Sequence, residues 1–141
     1  MGSVDKSPEM KGLHIRNIEK TLSRDPRVIF AYLYGSFAAQ GDSRDIDIAL
    51  YAKPGSNPWL LSVELKIALS ESTGLAPDLF DIKIINGLLE HGDLFSLLFL
   101  KRLFESHRVL ADKDYDLRTG FMEGYNIKYR ECEGLFDEVL T

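Results

Sequence analysis

The stretch from Val28 to Tyr51, VIFAYLYGSFAAQGDSRDIDIALY, predicts two strands joined by a tight corner and a polar loop. Its first part, Ile29 to Tyr34, is a nearly continuous apolar run with β-branched and aromatic members, which indicates a strand buried on both faces. Gly35 and Ser36 follow, where glycine lets the backbone turn sharply and the serine offers an N–H and a hydroxyl to an anion. The stretch therefore predicts a strand that ends at a corner suited to phosphate.

The second predicted strand carries two acidic side chains on one face. Side chains alternate along a strand, so Asp45 and Asp47 point to one side, and Ile46, Ile48 and Leu50 to the other. Neighbouring like charges repel unless a cation lies between them or water screens them. One interpretation is a divalent-metal site, where hard oxygen ligands suit Mg²⁺. The other is a surface strand with two solvated aspartates, because so short a pattern recurs by chance.

Together these features resemble the signature of the polymerase-β-like nucleotidyltransferase superfamily. The matching motifs are Leu33-Tyr34-Gly35-Ser36 and, after a polar loop, Asp45-Ile46-Asp47-Ile48. At this short length the closer likeness is to the minimal nucleotidyltransferase (MNT) branch, whose members are known mostly as prokaryotic antitoxins paired with HEPN-domain toxins. The resemblance covers residues 28 to 110, and the C-terminal part of the chain matches poorly.

The resemblance implies a fold, a reaction and a set of site residues. The implied fold is α/β (α+β), a small mixed sheet flanked by helices. Asp45 and Asp47 are expected to hold one or two Mg²⁺ ions, while Gly35, Ser36 and Arg44 are expected to bind the nucleotide. The implied substrate is ATP, and the implied acceptor of AMP is a hydroxyl of a protein, a tyrosine of a HEPN toxin.

Family members carry a third carboxylate on a later strand, and two residues of this chain compete for that role. The predicted third strand runs from Pro77 to Ile85. Alternation puts Asp78 on one face of it and Asp81 on the other. Alignment with the family pattern favours Asp78 as catalytic residue and metal ligand. Asp81 is the alternative metal ligand, although an aspartate on a polar face can also simply pair with a basic residue.

The chain departs from the MNT pattern in the loop after Gly35. MNT proteins usually carry an arginine there, as in Gly-Ser-x-Ala-Arg-Gly, whereas residues 35 to 41 of this chain read GSFAAQG and contain none. The missing arginine bears on nucleotide affinity. Two further functions therefore stand beside the enzyme: a binding module that neutralises a toxin by complex formation, and a small-molecule nucleotidyltransferase.

Composition limits the class of protein. The 141 residues, 45% hydrophobic and 28% charged, suit one soluble globular domain, expected over residues 10 to 141 after a disordered segment 1 to 9. A net charge of -5 argues against tight nonspecific binding of nucleic acid. The lone Cys132 permits no internal disulfide, and no apolar run approaches the roughly 20 residues that span a bilayer. The chain is therefore predicted to be cytoplasmic, with no membrane partner and with homo-oligomers possible.

Helical periodicity and capping residues predict four helices around the strands. Asn57 and Gly74 suit the two ends of the second helix. Trp59, in its first turn, is expected to pack in the core. The third helix is apolar around nearly its whole circumference, so it should be enclosed by other elements or covered by a partner, and we favour both. The predicted ranges are Met10 to Ser23, Pro58 to Ser72, Leu94 to Ser106 and Asp114 to Leu140, with an edge strand from His107 to Leu110.

Overall fold

The computed structural model describes residues 8–35, 37, 45–91, 93–105 and 107–140. These residues form a four-stranded mixed sheet between two layers of helices, so the predicted fold class is confirmed. Within these ranges no helix is both long and apolar enough to cross a lipid bilayer. In chain order the elements are α1 (Pro8–Arg24), β1 (Val28–Tyr34), β2 (Ile46–Ala52), α2 (Pro58–Thr73), β3 (Phe80–Ile84), α3 (Leu88–His91), α4 (Leu94–Glu105), β4 (His107–Asp112) and α5 (Tyr115–Leu140).

The sheet has the strand order β3-β2-β1-β4. Strand β1 pairs antiparallel with both β2 and β4, and β2 pairs parallel with β3. A central strand covered on both faces needs an uninterrupted apolar sequence, which explains the composition of residues 29 to 34. The register places Tyr34 opposite Asp47, and Asp47 opposite Asp81.

One face of the sheet packs against α1 and α2. Alternate residues of β2 point into this core, so the side chains between them point to the opposite face, as the alternation in the sequence predicts. The side chains that build this core include Ile46, Ile48 and Leu50 of β2, Leu61, Leu65 and Leu69 of α2, and Ile15, Ile18 and Leu22 of α1.

The other face packs against α3, α4 and α5. The buried members of this second core include Phe30, Tyr32 and Ala49 of the sheet, Leu97, Leu100 and Leu103 of α4, and Phe121 and Tyr125 of α5. Helix α4 is thus enclosed along one side, as its apolar sequence predicts. Phe95, in its first turn, remains 83% exposed.

The ends of the long helices follow their capping residues. The Leu60 amide donates to the Asn57 side chain over 3.1 Å at the start of α2. Gly74 ends that helix with a φ of 78°, in the left-handed region that glycine adopts readily. The Leu117 amide likewise donates to the Asp114 carboxylate over 3.0 Å at the start of α5. The caps predicted for α2 are therefore confirmed.

Three sequence predictions differ from the structure. Helix α1 begins at Pro8, so residues 8 and 9 are helical rather than disordered; residues 1 to 7 lie outside the described residues. Trp59 is 74% exposed, because it lies on the side of α2 turned away from the buried leucines. Strand β3 begins at Phe80, because Pro77 starts a 3-10 turn, Pro77–Leu79, before it.

Candidate functional site

A row of polar side chains crosses the sheet where β1 ends and where β2 and β3 begin. Tyr34, Asp47 and Asp81 are cross-strand neighbours in this order. They lie on the face that α4 covers, since the alternate residues of β2 and β3 point into the opposite core. Asp47 is half-buried and Asp81 is exposed. Strand pairing alone thus brings two carboxylates together at one edge of the sheet.

Gly35 forms the corner against which the Asp47 carboxylate lies. Its φ of 78° is in the left-handed region. A Cβ atom built at this position would lie 2.3 Å from Oδ2 of Asp47, a distance that real Cβ atoms do not show. Glycine is therefore required twice, for its backbone conformation and for the space that Asp47 occupies.

Replacing Gly35 with alanine is expected to destabilise the fold and to move Asp47. The left-handed backbone alone costs about 1 to 2 kcal/mol for a residue with a Cβ, and the contact with Asp47 adds to this cost. Gly74 offers the matched control, because it has the same φ of 78° but no described atom within 4 Å of the place that a Cβ would take. Chemical denaturation of Gly35→Ala and Gly74→Ala measures the difference. Equal losses in free energy of unfolding would contradict the close contact with Asp47.

Negative charge is concentrated around Asp47. Burial raises the pKa of the Asp47 carboxyl above its ordinary value, and the charges of Asp81 and Asp45 raise it further. Arg102, on α4, acts in the opposite direction on the same group. Burial, Asp47 and Asp81 also raise the pKa of the Tyr34 hydroxyl, so Tyr34 stays protonated at neutral pH. The edge of the sheet is therefore a site that favours a bound cation.

The chemistry of these oxygen donors fits Mg²⁺. Among the residues that the structure describes, no three His, Cys, Asp or Glu side chains converge into a complete metal-binding cluster. Mg²⁺ commonly binds through only one or two carboxylates and takes its other ligands from substrate phosphates and water. The neighbouring Asp47 and Asp81, whose charges repel, meet that requirement. The site is therefore suited to a metal that takes part of its coordination from ligands other than the protein.

The structure brings some of the predicted site residues together and separates others. Asp45, one residue before β2, lies close enough to raise the pKa of Asp47. Asp78 was predicted on the third strand, but it is exposed in the 3-10 turn before β3, because Pro77 delays the strand. Ser36 and Arg44 lie outside the described residues.

Three further side chains on the same face were not singled out as site residues from the sequence. The Phe99 ring of α4 meets the Tyr34 ring edge-on, with 5.5 Å between centroids. The Lys83 Nζ lies 5.5 Å from the centroid of the same Phe99 ring. Arg102 follows Phe99 by three residues and is therefore on the same side of α4. Lys83 shares a face with Asp81 by alternation, but placing α4 over them requires the tertiary structure.

Comparison with known proteins identifies relatives of this fold. The family described as Polymerase beta, Nucleotidyltransferase matches residues 16–116. No match was found among curated proteins.

Solved structures with a similar fold come from toxin–antitoxin complexes. One contains a tri-AMPylated HEPN toxin from Shewanella oneidensis with its MNT antitoxin (20% identity, TM-score 0.56, 93% of this chain and 99% of that chain covered). A second is a toxin–antitoxin with AMP-PNP (20% identity, TM-score 0.59, 90% and 98% covered). A third is an MntA–HepT complex (19% identity, TM-score 0.55, 92% and 99% covered). At such identities the likeness establishes a shared fold.

Proposed function

This chain belongs to the polymerase beta nucleotidyltransferase family, and we propose that it transfers AMP from ATP to a hydroxyl of a HEPN-domain toxin, acting as the antitoxin. The family match over residues 16–116 confirms the family predicted from the two sequence motifs. The AMPylated HEPN toxin and the AMP-PNP complex among the structural neighbours support this acceptor and this nucleotide. The single observation that carries the proposal is the row of Asp47 and Asp81 beside Gly35.

In the proposed reaction the aspartates and the glycine of the site have separate roles. Asp47 and Asp81 would hold Mg²⁺ with the charge of Asp45 beside them, and the backbone at Gly35, which carries no side chain, would lie open to a phosphate. Bound Mg²⁺ supplies charge neutralisation at the attacking and leaving oxygens. The acceptor oxygen forms a bond to the α-phosphorus as the bond to pyrophosphate breaks, and the hydroxyl proton passes to Asp81. We prefer Asp81 to Asp78 as third carboxylate because Asp81 is the strand neighbour of Asp47.

The compartment follows from the chemistry of the reaction and of the lone thiol. Cys132 is a free cysteine. ATP and a HEPN toxin meet inside the cell, where free thiols persist. We therefore assign the protein to the cytoplasm, as one nucleotidyltransferase domain.

Mass spectrometry of the protein encoded next to this chain, the expected HEPN toxin, tests the proposal. The purified chain, that protein and Mg-ATP are incubated together, and the toxin is expected to gain one or more AMP units. Asp45→Ala removes a charge next to Asp47 from an exposed position and should abolish the gain. Lys20→Ala, an exposed change on α1, is the control that should retain it. If the toxin gains no AMP in the presence of the unaltered chain, the proposed AMP-transfer activity is wrong.

A second candidate function is neutralisation of the toxin by binding alone. Exposed apolar side chains favour it, because 74% of Trp59 and 50% of Ile67 on α2, and 83% of Phe95 on α4, face solvent. The same incubation of the chain with the toxin and Mg-ATP distinguishes AMP transfer from neutralisation by binding alone. If the toxin keeps its mass but loses its toxic activity, binding alone accounts for the neutralisation.

A further inference from the structure

We propose that Arg102 and Lys83 bind the phosphates of the nucleotide and so supply the positive charge that residues 35 to 41 lack. This inference rests on the proposed function and deepens it by assigning the side chains that hold the triphosphate.

Phe99 fixes where α4 lies relative to the carboxylate row. Its ring contacts the Tyr34 ring edge-on at 5.5 Å between centroids. Tyr34 is the strand neighbour of Asp47. Arg102 lies three residues beyond Phe99, on the same side of α4, and its positive charge acts to lower the pKa of the Asp47 carboxyl. Arg102 is therefore near enough to Asp47 for the two charges to interact, although it belongs to neither strand.

Lys83 approaches the same region from β3. It follows Asp81 by two residues, and side chains two apart share a face of the sheet, about 7 Å from one another along the strand. Its Nζ lies 5.5 Å from the centroid of the Phe99 ring, on the side of the sheet that α4 covers. The two cations thus approach the carboxylates that would hold a metal from different elements, Lys83 from β3 and Arg102 from α4.

Neither cation is neutralised by the part of the chain that the structure describes. Lys101, the neighbour of Arg102 in α4, forms an ion pair with Glu105, and Arg118 forms one with Asp112 over 2.8 Å. Arg102 and Lys83 are exposed and form no salt bridge within the described ranges. Arg102 nevertheless opposes the effect of Asp81 on the pKa of Asp47, as a nearby positive charge should. Both cations are available to an anionic ligand.

The chemistry of the two side chains suits a polyphosphate. Arginine presents a planar fork of N–H donors that bonds a phosphate through two parallel hydrogen bonds, whereas lysine acts as a compact point charge. A charge-assisted hydrogen bond contributes enough to change a dissociation constant by about tenfold. Loss of Arg102 should therefore weaken nucleotide binding more than a lysine replacement does.

Calorimetric titration with Mg-ATP and with inorganic triphosphate tests the proposal. Arg102→Ala and Lys83→Ala should each raise the Kd for both ligands about tenfold, and Arg102→Lys should recover part of the loss. Arg108→Ala is the matched control, since Arg108 is exposed and faces Glu19 of α1 at 4.0 Å on the other side of the sheet. It should change either Kd by less than about twofold. Far-ultraviolet circular dichroism checks that every variant is folded.

The outcomes for the two proposals are separable. Unchanged affinities in Arg102→Ala and Lys83→Ala, or a chain that binds no triphosphate, overturn the role of the two cations. If both variants lose affinity but the unaltered chain adds no AMP to the HEPN protein, the cations bind phosphate and the proposed function fails. If AMP transfer is observed and survives both substitutions with unchanged affinity, the proposed function stands and the phosphate-binding role does not.

Discussion

Asp81→Asn is expected to lower the rate of AMP transfer on the order of 1000-fold, equivalent to about 4 kcal/mol of transition-state stabilisation. Asp81 is the strand neighbour of Asp47, so in the proposed reaction its carboxylate would hold the metal and accept the proton of the acceptor hydroxyl. Asparagine keeps the size of the side chain but removes its charge and its basicity. The rate is measured as the initial increase of AMPylated HEPN protein by mass spectrometry.

Asp78→Asn provides the matched control for Asp81→Asn. The two aspartates are three residues apart and both are exposed, but Asp78 lies in the 3-10 turn rather than on β3. Its substitution should change the rate by less than about threefold. A large loss in Asp78→Asn together with a normal rate in Asp81→Asn would assign the third carboxylate to Asp78, as the family alignment alone favours.

The choice between these two aspartates shows where sequence reasoning ends. Alternation along a strand is local, so the face shared by Asp45 and Asp47 follows directly from the sequence. The third carboxylate depends on where β3 begins and on its register with β2, which are properties of two segments separated by a helix. Pro77 shortens the strand by starting a turn, and this moves Asp78 off the sheet. An apolar run with a proline at its start fits both arrangements.

Residues contributed by helices are harder to predict than those on the strands. The sequence of α4 indicates burial, and the structure confirms it for one side of the helix. Which residues of such a helix meet the site depends on its rotation about its own axis, which is set by packing against the sheet. For this reason Phe99 contacts Tyr34, and the charge of Arg102 acts on Asp47. The prediction that Trp59 packs in the core is wrong for the same reason. An apolar residue type does not indicate which side of α2 faces solvent.

Asp47→Asn is expected to have opposite effects on activity and on stability. AMP transfer should fall on the order of 1000-fold, as for Asp81, because Asp47 is the central carboxylate of the row. Without metal the melting temperature should rise by about 2 to 4 °C, since the substitution removes a half-buried charge that two other carboxylates repel. Proteins commonly lose some stability where a functional site concentrates like charge.

The pH dependence of that stability gain tests its electrostatic origin. The folded chain raises the pKa of Asp47, so the contribution of this group to stability is fully present below the unfolded pKa of about 3.9 and is lost as the pH rises through the folded value. The advantage of Asp47→Asn should therefore be largest at neutral pH and vanish in acid. Differential scanning calorimetry from acid to neutral pH measures this stability advantage, and Asp78→Asn is the control that should show none. Adding Mg²⁺ with ATP should raise the melting temperature of the unaltered chain and leave that of Asp47→Asn nearly unchanged. If the higher melting temperature of Asp47→Asn without metal persists in acid, repulsion around Asp47 is not its cause.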